Sequence, residues 1–269
     1  MPHVPFVPLL LACLLPLGPL AAAAPKPVAA TGTEPTLRFV KVTGGIRPDG
    51  VQVRPFLLQA TEVTQRQWRA LLHSEPSAFT ACDDCPVESV NWTEAAAFAN
   101  ALSRRDGLPE SYILEKCRAY PGTGTTCKIV RLASPDPQSL KGYRLPTEAE
   151  WAWAAGAARK PAGPSAKTHP AGWLKANAGN RTHAVGGLPS QPPGVHDLFG
   201  NVWEWCHDIA IDPNKQRRGQ PEDPARGTYR VVKGGSWATG PEAARPEGRE
   251  PVHMNYRDPS VGFRLARSL

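Results

Sequence analysis

Proline and glycine punctuate this chain more densely than any other feature of its sequence, with 30 prolines and 24 glycines among 269 residues. Proline removes a backbone donor and fixes φ, and glycine costs extra entropy inside helices and strands. Long regular elements are therefore disfavoured, and a loop-rich fold of short pieces is expected. At 41% hydrophobic residues the chain can still bury a core. Three stretches escape the punctuation and read as helices. In 61–73, Val63, Gln67, Trp68, Leu71 and Leu72 gather near one face. In 91–107, Asn91 is a natural N-cap, Glu94 completes a capping box, and Ala95, Phe98, Ala99 and Leu102 recur with helical period. In 145–159, Thr147 and Glu150 repeat that box ahead of Trp151, Ala154, Ala155 and Ala158. Short strands are expected at 37–42, 229–235 and 262–267, and mostly loop at 108–143 and 160–196. The sum is an α+β class.

The first 24 residues form an apolar run ending in small residues, the pattern of a cleaved secretory leader, although no Lys or Arg precedes the run. Repeated prolines argue against a stable membrane span. A Leu-Leu-Ala-Cys stretch makes Cys13 a possible lipid anchor, which leaves an envelope lipoprotein as the alternative to a secreted or periplasmic protein. Residues 25–36 read as a linker and 37–269 as one domain. The formal charge of +7 comes from scattered basic residues without a Lys/Arg run, so a nucleic-acid partner is not expected.

Removal of the leader would leave Cys82, Cys85, Cys117, Cys127 and Cys206. Outside the cytosol disulfides are the default, and closeness in sequence favours Cys82–Cys85 and Cys117–Cys127 with Cys206 a buried thiol. A four-thiolate zinc site is the rival, weakened by the presence of only one Cys-x-x-Cys knuckle. The stretch Asp197–Asp208 (DLFGNVWEWCHD) carries acids, two tryptophans, a cysteine and a histidine. Trp203 and Trp205 read as core, and His207 as an exposed or capping residue.

Four ordered segments, PVESVNWTEAAAFANALS, YRLPTEAEWAWAA, GVHDLFGNVWEWCHD and RVVKGGSW followed by VGFRLAR, closely resemble the formylglycine-generating enzyme or sulfatase-modifying factor family. The resemblance covers roughly 37–267 and implies a single compact α+β domain related to the C-type lectin fold. It implies a calcium loop in which Asp197 and Glu204 give side-chain oxygens and Gly200 and Val202 give carbonyls, a donor set suited to a hard cation. A second calcium position would begin near Asn177 and Ala178. It also implies a copper(I) site of two cysteines after the Gly-Gly-Ser-aromatic turn, used to oxidise a substrate cysteine with oxygen. Here those positions fall on Thr239 and Ala244, and no cysteine follows Cys206. Copper(I) selects soft sulfur, so copper is not expected, nor is copper-dependent oxidation. What remains is a scaffold with a groove for an extended peptide, lined by Ser236, Trp237, Arg245, Arg249 and Tyr256. The expected function is a protein- or peptide-binding accessory module; the alternative is oxidative maturation of a secreted protein or peptide by another route.

Overall fold

The computed structural model describes residues 36–120, 124–157, 172–217 and 227–269. The leader, nearly all of the linker and Cys13 lie outside the described residues. The elements are short. Strands β1 (Phe39–Val42), β2 (Gly45–Ile46), β3 (Gln52–Val53) and β4 (Phe56–Gln59) precede helices α1 (Gln65–Leu72) and α2 (Trp92–Arg105). Strands β5 (Tyr112–Tyr120) and β6 (Gly124–Leu132) follow, then α3 (Glu148–Ala157), β7 (Trp203–Ala210), α4 (Pro213–Arg217), β8 (Tyr229–Lys233), β9 (Arg249–His253), β10 (Val261–Gly262) and β11 (Ala266–Ser268).

The three expected helices form, each trimmed to its cap. Thr64 caps α1 in a reciprocal box with Gln67, so that helix starts after the Thr61–Val63 segment rather than within it. Asn91 and Glu94 make the box expected for α2. Ahead of α3, Thr147 Oγ1 accepts the Glu150 N–H at 3.1 Å and Glu150 Oε2 accepts the Thr147 N–H at 2.9 Å.

The region 108–143 is not mostly loop. β5 and β6, nine residues each, pair antiparallel, with Cys117 opposite Cys127 and joined to it. Lysine and arginine interrupt the apolar residues of both strands, and Glu115 those of β5; β6 is largely half-buried, so no clean two-residue alternation marks the pair. The expected strand at 262–267 is two pieces: β10 pairs parallel with β7, and β11 pairs antiparallel with β4. Phe263, Arg264 and Leu265 lie between them, fully buried.

Two sheets carry the core, one ordered β1-β4-β11 and one ordered β10-β7-β8-β9. Buried tryptophans link them to the helices, and three of them place the indole N–H on a buried acceptor. Trp92 donates to the Cys206 carbonyl at 2.7 Å, Trp205 to the Val90 carbonyl at 2.9 Å, and Trp151 to Glu204 Oε2 at 2.8 Å. Trp203 and Trp205 are core residues, as expected. So is the Cys206 thiol, and the second disulfide joins Cys82 and Cys85.

Candidate functional site

The loop from Asp197 to Glu204 turns sharply. Asp197 and Asn201 have positive φ, and Gly200 has φ 86°. A Cβ on Gly200 would meet the Trp173 carbonyl oxygen at 2.2 Å and its amide nitrogen at 2.8 Å, so only glycine fits. The loop thereby hands Glu204 to the start of β7 beneath the core. There Arg264 grips it: Nε donates to Oε2 and Nη2 to Oε1, both at 2.7 Å. The same guanidinium donates to the carbonyls of Gln59 at 3.2 Å and His196 at 2.8 Å.

Asp197 is treated differently. Its Oδ2 accepts the Gly186 N–H at 2.6 Å, but its buried Oδ1 has no partner among the described residues. Glu62, wholly buried, leaves both carboxylate oxygens without a partner. Burial is the largest effect on each, and it raises both pKa values; the nearby Asp197 charge raises that of Glu62 further. Orphaned carboxylate oxygens of this kind are what a hard cation would satisfy. Of the residues expected to hold calcium, Asp197 has an oxygen to offer and Glu204 is committed to Arg264 and Trp151. Among the described residues no three His, Cys, Asp or Glu side chains gather as a metal site, so a cation here would need the Gly200 and Val202 carbonyls as well. Near the second expected calcium position, the Asn177 side chain is used within its own turn by Leu174 and Gly172. The Ala178 carbonyl lies 2.8 Å from His183 Nε2.

The resemblance aligns the family's copper cysteines with Thr239 and Ala244, which follow the Gly-Gly-Ser turn. Gly234 and Gly235 have φ of 96° and 77°. A Cβ on Gly235 would sit 2.8 Å from Thr239 Oγ1, so the missing side chain lets that hydroxyl close over the turn. Oγ1 accepts the Ser236 N–H at 2.8 Å and donates to the Ser236 carbonyl at 3.0 Å. Ala244 is buried in the apolar core with Trp151 and Phe199. Neither position presents sulfur: the hydroxyl is bonded into the backbone and the methyl faces core.

Beside this turn a cavity of about 570 Å³ opens, lined by Lys175, Trp203, Thr239, Arg245 and Arg249 among others. Of the five residues expected along a peptide groove, only Arg245 and Arg249 line it. Ser236 is buried, and its Oγ accepts the Ala238 N–H at 3.3 Å. The Trp237 indole donates to the Pro259 carbonyl and meets Phe79 edge-on. The Tyr256 hydroxyl donates to Asp258 at 2.8 Å. Three of the five are therefore held by local structure outside the cavity. Lys175 and Trp203, which do line it, carry no sequence mark: one is a lone lysine in irregular chain, the other reads as core.

His207 is neither exposed nor a cap. Its ring packs between Trp92 and Tyr112, at centroid distances of 6.1 and 6.0 Å, and its buried Nδ1 has no partner among the described residues. Burial first, and the Arg230 and Arg144 charges after it, push its pKa down to about 3. Adjacent Asp208 accepts the Glu148 backbone N–H at 2.5 Å, and burial raises its pKa to about 6.

Comparison with known proteins agrees with this architecture. The chain is 29% identical over 239 residues to the chaperone protein LppX of Paenibacillus barcinonensis, covering 81% of this chain and 82% of that one. It is 36% identical over 240 residues to the hercynine oxygenase of Mycolicibacterium thermoresistibile, covering 80% of this chain and about half, 51%, of that protein. The solved structure of Treponema denticola variable protein 1 superposes with a TM-score of 0.67 at 29% identity, covering 91% of this chain and all of that one. Residues 38–269 match the sulfatase-modifying factor enzyme 1-like domain, and the chain belongs to that family of formylglycine-generating-enzyme folds.

Proposed function

We propose that this chain is an extracytoplasmic binding module that engages polypeptide in the cavity beside the Gly234–Gly235 turn, and that it is not a copper-dependent cysteine oxidase. The observation that carries the reading is the pair Thr239 and Ala244. A locked hydroxyl and a buried methyl stand where two thiolates are needed, and oxygen does not replace sulfur for copper(I). The cavity itself keeps features that suit a peptide: Trp203 for an apolar side chain, Lys175, Arg245 and Arg249 for carbonyls and acids, and Glu242 and Glu250 for basic groups. Similarity to a protein named a chaperone, over four fifths of both chains, supports the same reading. A calcium ion at Asp197, held with the Gly200 and Val202 carbonyls, belongs to it as a structural clamp on the loop.

Two measurements test it together. Fluorescence anisotropy of labelled, reduced and carboxymethylated α-lactalbumin, a permanently unfolded chain, is expected to rise on adding the protein and to rise less with Arg245→Glu. A flat titration beside a control chaperone that binds would sink the binding reading. Separately, a Cys-x-Pro-x-Arg peptide incubated with the protein, copper(I) and oxygen is expected to remain unoxidised by mass spectrometry. Conversion of its cysteine to the aldehyde would overturn the argument from Thr239 and Ala244. The identity to hercynine oxygenase favours a second reading, oxidative maturation by another route. Oxygen uptake stimulated by the protein with iron(II) and a thiol peptide would favour it.

A further inference from the structure

A second cavity, of about 490 Å³, lies on the other side of the 245–249 segment, and nothing in the family argument uses it. Its wall is Trp153 of α3, with Pro48, Ala152 and Pro246 around it. The Trp153 ring is held in place. Its N–H donates to the Thr43 carbonyl at 2.7 Å, and Gly45 lies so close that a Cβ there would sit 2.5 Å from the ring.

Lys233 also lines the cavity, although its side chain is only 1% exposed. An ammonium has three N–H donors, and among the described residues its single hydrogen-bonding partner is Glu148 Oε1, at the long distance of 3.5 Å. That same oxygen also receives Arg249 Nε at 3.3 Å. Two cations therefore share one carboxylate oxygen, and Lys233, whose ammonium also lies over the Trp151 ring at 5.6 Å, keeps N–H donors unused. A buried ammonium short of acceptors is costly, and an anionic acceptor would relieve both the charge and the donor surplus. The other charged groups nearby do not supply one. Arg47 on the wall pairs with Asp49 at 2.9 Å. Asp208 accepts the backbone N–H of Glu148, and the buried Cys206 thiol is held neutral, its pKa pushed far up by burial. Glu247 lines the cavity and repels a second negative group on the ligand.

We propose that this cavity is a binding site for a monocarboxylate with an aromatic or aliphatic body, the carboxylate on Lys233 and the body against Trp153. The acid could be a free organic acid or the carboxyl end of a peptide, and the chemistry recognised is the same. The site is separate from the polypeptide cavity and does not depend on that reading.

Isothermal titration at pH 7 tests it with four probes: 4-phenylbutyrate, its amide, N-acetyl-Ala-Ala-Phe with a free carboxylate, and the same peptide amidated. Each acid is expected to bind at least tenfold more tightly than its amide. The tighter of the two acids identifies the source of the ligand. Lys233→Met is expected to lose that preference and Lys233→Arg to keep it. Because Lys233 also lies over the Trp151 ring, at 5.6 Å, its replacement could unfold the chain. Gly156→Phe avoids this difficulty. Gly156 lines the cavity from within α3, and a Cβ there meets nothing within 4 Å, so the new ring can enter the cavity without moving the backbone. That variant is expected to keep its melting temperature and lose acid binding. Equal affinity for acid and amide, no binding of either acid at millimolar concentration, or unchanged binding by Gly156→Phe would each overturn the proposal.

Discussion

Arg264 and Glu204 meet fork to fork, both N–O distances 2.7 Å, with side-chain exposures of 0% and 1%. The pair joins the start of β7 to the segment between β10 and β11, and through Gln59 and His196 it reaches β4 and the Asp197 loop. A buried pair is weak evidence of net stabilisation, but removing one partner strands the other charge.

Glu204→Gln is accordingly expected to destabilise the fold by about 3–5 kcal/mol, read from chemical denaturation. Glu115→Gln, which alters the exposed Arg131–Glu115 ion pair, is expected to cost about 1 kcal/mol or less. Equal losses for the two substitutions would mean that the Arg264 contact is not the tie described.

His207 and Asp208 are neighbours whose titrations oppose each other. His207 has a folded pKa of about 3, below its ordinary value, so its contribution is present above about pH 6.5 and is lost as pH falls toward 3. Asp208 has a folded pKa of about 6, above its ordinary value, so its contribution is present below about pH 4 and is lost as pH rises through 6. Between about pH 4 and 6 the two slopes cancel. Asp208→Asn is expected to expose the histidine slope, losing up to about 1.4 kcal/mol per pH unit on acidification through that range. His207→Phe is expected to expose the opposite slope. Denaturation midpoints at pH 4, 5 and 6 would show both; parallel profiles for wild type and variants would refute the assignment.

Much of the scaffold was legible because its signals are local. Asn91 with Glu94, and Thr147 with Glu150, are three residues apart, and the capping box is a property of that spacing. Cys82–Cys85 and Cys117–Cys127 close short loops. What escaped is non-local or masked by mixed polarity. The β5–β6 pair and β9 carry charged side chains among their apolar residues, and Glu62 meets Asp197 from far along the chain. The groove residues Ser236, Trp237 and Tyr256 came from the family resemblance, and the structure bonds Ser236 and Tyr256 within their own turns and Trp237 to the Pro259 carbonyl. Gly234 and Gly235 turn the chain with positive φ, and composition alone does not encode such a turn.

The cysteine assignment yields a count. On chain cleaved after residue 24, thiol titration is expected to find no reactive thiol in the native state, since Cys206 is buried and its pKa lies well above the usual value. Denaturation without reductant is expected to reveal one. Five would restore the zinc alternative, and three would break one of the two bridges.

Thr239 makes a local prediction. Thr239→Val keeps the shape but loses the bonds to the Ser236 amide and carbonyl, and is expected to cost about 1 kcal/mol. Thr239→Ser restores both bonds and is expected to recover most of that. If valine and serine variants melt alike, the hydroxyl does not hold the turn.

Calcium can be tested through the oxygens that lack partners. Asp197 Oδ1 and both Glu62 oxygens are buried without a hydrogen bond among the described residues. If calcium binds there, it binds the native state alone and raises stability by RT ln(1 + [L]/Kd), about 2.7 kcal/mol at one hundred times Kd. Protein first treated with chelator is therefore expected to melt several degrees higher in saturating calcium. Asp197→Asn is expected to remove most of that gain. Glu62→Gln separates two explanations for the orphaned pair. If Glu62 is protonated beside Asp197, the substitution leaves stability nearly unchanged in chelator and calcium adds no more than before. If the carboxylates await a cation, the substitution stabilises the metal-free protein, because like charge is removed, and weakens the calcium response. A wild-type melting temperature that ignores calcium would exclude a cation at these oxygens.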